Sequence, residues 1–520
     1  MDMMATIGVP PCATALTPTD FLRRSATIFP DRVAVIDGAD RTSYIGWYHR
    51  VRRMAGLLRK CGVQQGDCVA VLAPNTSMLL DAHYGVPMAG AVLLTLNIRL
   101  TVEDLTYISR HAGAKAVLFD DSLAHIAAQL PIPIQLSATE YRRRVADAPE
   151  VEHQVDDELA LLSLNYTSGT TGRPRGVMYH HRGAYLQALA TAYHSGLSPQ
   201  TVHLWTLPMF HCHGWSFTWS VTAAGGTHVC LPKVEPSAIW RHLHDDGVNS
   251  LNAAPTVLID LASHHDARRV AHGVRVGTGG APPSPTLLQR LSELGFDITH
   301  YYGLTETYGP AVICEFPAER ADSPMIEQAR FKARQGNCNI VGQPLRVVDD
   351  RGDDVPADAT TMGEIVIRGN TVATGYYRDE EATREAFGSG WFRTGDLGVM
   401  HPDNYVELRD RAKDVIISGG ENISSVEVEQ VLDTHPAVRE CAVVAGPHPR
   451  WGEVPVAFVD LEPGANATVE DLIAYARTRL PGFKTPKTVY IGPLPKTGTG
   501  KIQKFRLRDR ARHGKYSSDV

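Results

Sequence analysis

Between residues 32 and 120 short apolar runs alternate with amphipathic stretches. VAVID (33–37), CVAVLA (68–73), AVLLTL (91–96) and KAVLF (115–119) are almost continuously apolar, while WYHRVRRMAGLLRK (47–60) spaces its apolar residues as a helix does. That rhythm predicts layered α/β structure. One unit is legible in detail. Residues 91–96 read as a strand, Thr101 as an N-cap with Asp104 three residues on, the helix as running to His111 with a stop at Gly113, and 116–119 as the next strand. A right-handed parallel crossover follows.

The α/β signals continue to about residue 315. From 342 to 409 the text turns strand-like, with EIVIRG, WFRTGD and VELRD separated by Gly, Pro and Asp, which predicts a β-rich subdomain. Beyond Asp410 a separate α+β rhythm starts. DVIISGG is a strand ending in glycines, Ser424 and Glu427 form a capping box, a helix stops before Pro436, and AVVAG and VAFVD are strands. The division expected is a large unit over 1–410 and a small one over 411–520.

The length of 520 residues fits this two-part reading, and 43% hydrophobic with 21% charged residues is globular rather than disordered. A formal charge of -6 argues against a nucleic-acid partner. The eight cysteines form no CxxC pair, so reduced thiols in the cytoplasm are expected and structural zinc is not. The first twenty residues lack a basic n-region, and the apolar stretch 82–96 is too short to span a bilayer, so neither a signal peptide nor an integral membrane segment is expected. A homodimer would be ordinary for such a chain.

The densest chemical signal is YTSGTTGRPRG (166–176), placed where the apolar LALLSLN run opens into a loop. Hydroxyls interleaved with glycines suit a phosphate cradle, and equally suit a flexible surface loop. It is neither a Walker A loop nor a nucleophile elbow, and GTGGAP (277–282) fails the dinucleotide fingerprint. His211-Cys212-His213 reads as a strand whose two histidines share a face, but no third ligand stands near and a metal centre is not expected there.

Taken together and in order, YTSGTTGRPRGV, GGAPPS, YYGLTET, WFRTGD, RDRAKDVIISGGENISSVEVE and PKTGTGKIQK resemble the AMP-forming adenylating enzymes, and among them acyl-CoA synthetases. The resemblance spans residues from about 20 to 510. It implies a carboxylate–CoA ligase using ATP, Mg²⁺ and coenzyme A, with a large N-terminal adenylation domain and a mobile C-terminal domain. Related readings are transfer to a carrier protein or an amine, a luciferase-type oxygenase, and an idle acyl-adenylate binder.

By the same resemblance, Thr167, Ser168, Gly169, Thr170, Thr171 and Gly172 hold the ATP phosphates, Thr305 meets the α-phosphate, and Glu306 is the Mg²⁺ carboxylate. Gly280, Ala281, Pro282 and Tyr302 form the adenine slot, Gly303 is a further cofactor contact close to the acyl group, and Asp396 and Arg411 take the ribose. Lys501 is the catalytic lysine, whose charge would offset the repulsion between a carboxylate and a polyphosphate. Lys413 is the hinge, while Gly419 and Gly420 line the pantetheine path. His211 is a gate or a group that positions the carboxylate, and Trp215, Ala254, Gly279 and Tyr301 surround the acyl group. One departure is Arg175, where the family usually has lysine. The acid itself stays open between medium-chain, short branched or sulfur-containing, aryl and polycyclic classes, in fatty-acid or secondary metabolism.

Overall fold

The computed structural model describes residues 12–167, 173–280, 283, 285–411, 413–419, 421–496 and 501–513. Among them the chain forms four sheets. In the first, strands Ile134–Ser137, Ala114–Phe119, Cys68–Leu72, Val92–Thr95 and Leu161–Thr167 lie side by side and parallel, and Arg175–His180 closes the edge antiparallel to Leu161–Thr167. The predicted crossover is there. Val92–Thr95 leads into helix Val102–Ala112, capped by Thr101 accepting from the Asp104 amide at 3.2 Å and ended by Gly113 at φ 67°, and the chain returns in Ala114–Phe119. The left-handed stop requires glycine or a tolerant substitute, which is why the helix ends where the text says.

The apolar stretch 82–96 splits between two elements. Helix Ser77–Met88 is buried from Met78 to Met88 and continues only to Ala89, so this segment is a core helix followed by a strand. In the second sheet Thr227–Cys230, Val202–Leu204, Ser250–Ala253, Val274–Gly279 and Phe296–Leu304 run parallel, flanked by antiparallel edge strands. Three neighbours, ending at Ala253, Gly279 and Leu304, finish on one side of the sheet. Open α/β sheets bind ligands outside those carboxyl ends.

The β-rich segment is present as an antiparallel sheet of Arg346–Val348, Met362–Ile367, Phe392–Met400 and Val406–Arg411. Its last strand delivers the chain to a fourth sheet built on Ile416–Ser418, Val438–His448, Gly452–Leu461 and Thr488–Ile491. Helix Ser425–Leu432 packs there, capped by Ser424 accepting from the Glu427 amide at 3.1 Å. A separate apolar core of Ile416, Ile423, Val428, Leu432, Val443, Val459 and Leu472 lies under these elements.

Candidate active site

The carboxyl ends of the second sheet, the edge of the first, the antiparallel sheet and the small C-terminal unit enclose a cavity of about 1200 Å³. Thr167, Arg173 and Arg175 line it from the first sheet, Ala254, Gly279, Gly280, Tyr301, Tyr302, Gly303, Thr305 and Glu306 from the second, Asp396 and Arg411 from the third, and Lys413 and Lys501 from the small unit. Residues scattered over more than three hundred positions of sequence thus share one space. Ser168 to Gly172, Ala281, Pro282 and Gly420 lie outside the described residues.

On one wall Tyr302 donates its hydroxyl to Asp396 Oδ2 at 2.8 Å, and Arg411 Nε meets Asp396 Oδ1 at 3.1 Å. Asp396 and Arg411 are directly opposed in the antiparallel pairing, so the strand register sets this contact. Asp396 is only 3% exposed, and its carboxylate is oriented from two sides before any ligand arrives. Such a carboxylate can accept from a pair of vicinal hydroxyls.

Glu306 sits in the short turn after Leu304. Burial raises its carboxyl above the ordinary range, and Tyr376, donating to Oε1 at 2.8 Å, pulls the other way. Arg175 lies over the face of the Tyr376 ring, 5.3 Å from its centroid, and pairs with Asp379 at 3.6 Å. A buried carboxylate left short of compensating charge at the edge of a polar cavity fits a hard divalent cation such as Mg²⁺. Elsewhere among the described residues, His264, His265 and Asp266 converge closely enough to share an ion, but on a partly exposed outer loop.

The acyl side departs from the strand expected at 211–213. Cys212, His213, Gly214, Trp215 and Ser216 all have positive φ, between 47° and 65°, a left-handed turn containing four residues other than glycine. Each such residue costs about 1 to 2 kcal/mol, so the surroundings must hold the turn in place. Gly214 is obligatory, because a Cβ there would lie 2.2 Å from the Trp205 ring. The turn separates the two histidines. His211 lines the cavity, while His213 points into the protein, fully buried.

Trp215 becomes a wall of the cavity. A Cβ on Gly279 would meet the Tyr301 carbonyl oxygen at 2.4 Å and the indole at 3.2 Å, and one on Gly309, at φ 100°, would lie 3.1 Å from Trp215 Cα, so the two glycines let the neighbouring strands pack closely against the ring. Tyr301 meets Trp215 edge-on at 6.1 Å and anchors its hydroxyl on Ser195 Oγ at 2.6 Å. Trp205 and Trp219, the other tryptophans of this stretch, are fully buried core residues.

Lys501 reaches this cavity from the small unit. A Cβ built on Gly280 would lie 3.6 Å from Lys501 Cε, which places the side chain beside the glycine tract. Its surroundings push the ammonium down to about 8, through desolvation first and Arg411 second, with Asp396 opposing. Burial and the charge of Lys501 push His211 down to about 4, so its ring is neutral near pH 7. Cys212 donates to Thr305 Oγ1 at 3.4 Å, tying the turn to the end of the second sheet. Gly419, at φ 61°, is outside the cavity and packs under Trp451, which is 42% exposed.

Two polar anchors escape sequence reasoning. Tyr376, in the GYY of 375–377, reaches Glu306 across seventy positions. Lys504, three residues after Lys501, is half-buried against Glu429 at 2.7 Å and Ser425 Oγ at 2.6 Å, which ties the segment just after Lys501 to helix Ser425–Leu432. The second lysine of the KIQK motif was the visible signal for it.

The sequence matches the model of the AMP-binding enzyme over residues 22–377 and that of the AMP-binding enzyme C-terminal domain over 427–501. It is 43% identical to an acetate–CoA ligase of Humulus lupulus, over 96% of this chain and 95% of the relative. It is 41% identical to a peroxisomal acetate/butyrate–CoA ligase of Arabidopsis thaliana, over 97% and 96%. Among solved structures, ATP-bound MatB from Rhodopseudomonas palustris superposes with a TM-score of 0.84 at 29% identity, covering 94% of this chain and 98% of that one.

Proposed function

This chain belongs to the AMP-binding enzyme family, and from that premise we propose the acid it activates and the residues that do so. Its reaction is ATP-dependent carboxylate–CoA ligation. A carboxylate oxygen attacks the α-phosphorus of ATP, pyrophosphate leaves, and the thiol of coenzyme A then displaces AMP from the acyl carbon.

The observation that carries the assignment is the convergence of Lys501, Glu306 and the Tyr302–Asp396–Arg411 cluster on one cavity whose far wall is Trp215. Asp396 takes the ribose hydroxyls. Lys501 sets its ammonium between the attacking carboxylate and the α-phosphate, where charge develops in the transition state. Thr305 donates to the α-phosphate, and Thr167, Arg173 and Arg175 face the outer phosphates. Glu306 would hold Mg²⁺, which when bound neutralises phosphate charge. His211, neutral beside Lys501, offers the incoming acid a donor without a second positive charge.

The acid is a short aliphatic one. Trp215 and Tyr301 line the cavity beside Gly279, and a bulky indole on that wall supports a small acyl group. The names of two relatives, acetate and acetate/butyrate ligases, support this choice, while another at 41% identity is named a benzoate–CoA ligase and makes benzoate the decisive competitor. The test is AMP and thioester formation with acetate, butyrate, 2-methylpropanoate, octanoate and benzoate. The short acids are expected to lead, and Trp215→Ala to move the preference towards octanoate by about tenfold, the worth of one or two methylenes in a pocket. Preference of the unaltered enzyme for octanoate or benzoate refutes the substrate class.

Lys413 serves as the hinge, and Gly419, exposed on the small unit in this arrangement, turns to the cavity for the thiol step. All eight cysteines are free thiols, which supports a reducing compartment, and we place the enzyme in the cytosol. No helix among the described residues is long and apolar enough to cross a membrane.

A further inference from the structure

His213 takes no part in the chemistry above and does not line the cavity. It is nevertheless fully buried and sits at φ 52° in the left-handed turn, two residues before Trp215. Its Nε2 is 2.7 Å from Ser163 Oγ and 2.9 Å from Asn165 Nδ2. Both partners belong to strand Leu161–Thr167, whose last residue, Thr167, lines the phosphate side of the cavity. The carbonyl of His213 accepts from Thr218 Oγ1 at 3.2 Å, and its ring is packed between those of His83, at 5.0 Å, and Trp219, at 4.8 Å. The imidazole is therefore a post. One end is fixed on the strand that leads to the phosphate loop, and the other on the turn that carries the acyl wall.

We propose that His213 is a positioning residue that holds Trp215 in place by tying the left-handed turn to Ser163 and Asn165, and so couples the length of acid accepted to the strand that carries the phosphate loop. The proposal rests on the reading of Trp215 as the acyl wall. The physical need is plain, since a turn with four strained residues relaxes towards ordinary backbone when its polar anchor is cut. Relaxation would move Trp215 first, because the indole follows the turn directly. Ser163 and Asn165 do not line the cavity, and their side chains meet His213, which makes His213 their direct link to the acyl wall.

The experiment compares His213→Ala, Asn165→Ala and the double variant with the unaltered enzyme, reading kcat and KM for butyrate, hexanoate, octanoate and ATP, with thermal midpoints alongside. Asn165→Ala is the gentler change and keeps the test alive where His213→Ala does not fold. The expected result is a fall of five- to twentyfold in the butyrate-to-octanoate ratio of kcat/KM in each single variant, chiefly through a raised KM for butyrate. The double variant should be no worse than His213→Ala alone, since both cut one link. His213→Asn, a residue that tolerates left-handed backbone, should recover part of the selectivity.

Lowered midpoints with an unchanged acid ratio overturn the proposal and leave His213 as packing. So do multiplying effects of the two substitutions. The acid panel on the unaltered enzyme judges the substrate class separately. If that enzyme prefers octanoate, the short-acid reading falls, while the shift of ratio between variants still decides the role of His213.

Discussion

The two sides of the cavity are built by opposite means. On the large unit three polar groups of the cavity are oriented by bonds that predate the ligand: Asp396 by Tyr302, Glu306 by Tyr376 and Tyr301 by Ser195. Lys501 instead comes from a unit with its own core, delivered on the strand that ends at Arg411. At that crossing Ser425 donates its amide to Asp410 Oδ2 at 2.6 Å, and further out Arg439 approaches Asp260 at 3.5 Å. Bonds of this kind are thus concentrated on the large unit, and Lys501, which the proposed function makes the group that assists adenylation, is mounted on the small one. Under the proposed function this arrangement suits a two-step reaction, since a lysine carried on a separate unit can serve one step without disturbing groups that hold the adenylate in both.

The hardest way to break this contrast is Lys501→Ala. Adenylation, read as acid-dependent pyrophosphate exchange, should fall by about 10² to 10³, the usual loss on removing one donor at a developing charge. Thioester formation from synthetic acyl-adenylate should survive nearly unchanged, and a parallel loss of both would show that the lysine also serves the thiol step. Asp396→Asn attacks the fixed wall instead. It should raise KM for ATP in both partial reactions by about ten- to a hundredfold, the worth of hydrogen bonds to a charged group.

Proton titration distinguishes the two sides again. The Lys501 ammonium, held near 8, loses its charge as pH rises through that value, so adenylation should decline above about pH 8 while the thioester step does not. Lys501→Arg should remove that limb, arginine remaining charged throughout. The smallest effect belongs to Asp260→Asn, which cuts a half-exposed pair worth about 0 to 1 kcal/mol. The ratio of the adenylation to the thioester rate should fall less than about fivefold, and a larger change would make Arg439 a main holder of this arrangement.

Much of the wall was legible in the text because its residues lie in contiguous motifs whose spacing follows strand ends and turns. Asp396 follows a TG turn, Glu306 follows a strand, and Thr101, Gly113 and Ser424 announce helix ends through local chemistry alone. What stayed hidden is contact at long range. Tyr376 and Glu306, or Asn165 and His213, are joined by topology and not by any pattern within either segment. Residues 211–213 read as a strand because, in the turn that follows to Ser216, only Gly214 hints at left-handed backbone, and cysteine, histidine, tryptophan and serine argue against it. Burial of the whole segment overrode those local preferences.

That turn also bears on how the enzyme can change its diet. A wall carried on ordinary helix or loop can be remodelled by small backbone shifts, with many substitutions tolerated along the way. Here Gly214 and Gly279 admit no side chain without a clash, and Gly309 at φ 100° admits one only under strain, so substitutions around the turn are costly. New acids are therefore reached by trading the ring of Trp215 for another side chain of different size on a fixed mount. Libraries that vary position 215 alone should yield more active variants than libraries that vary the whole turn.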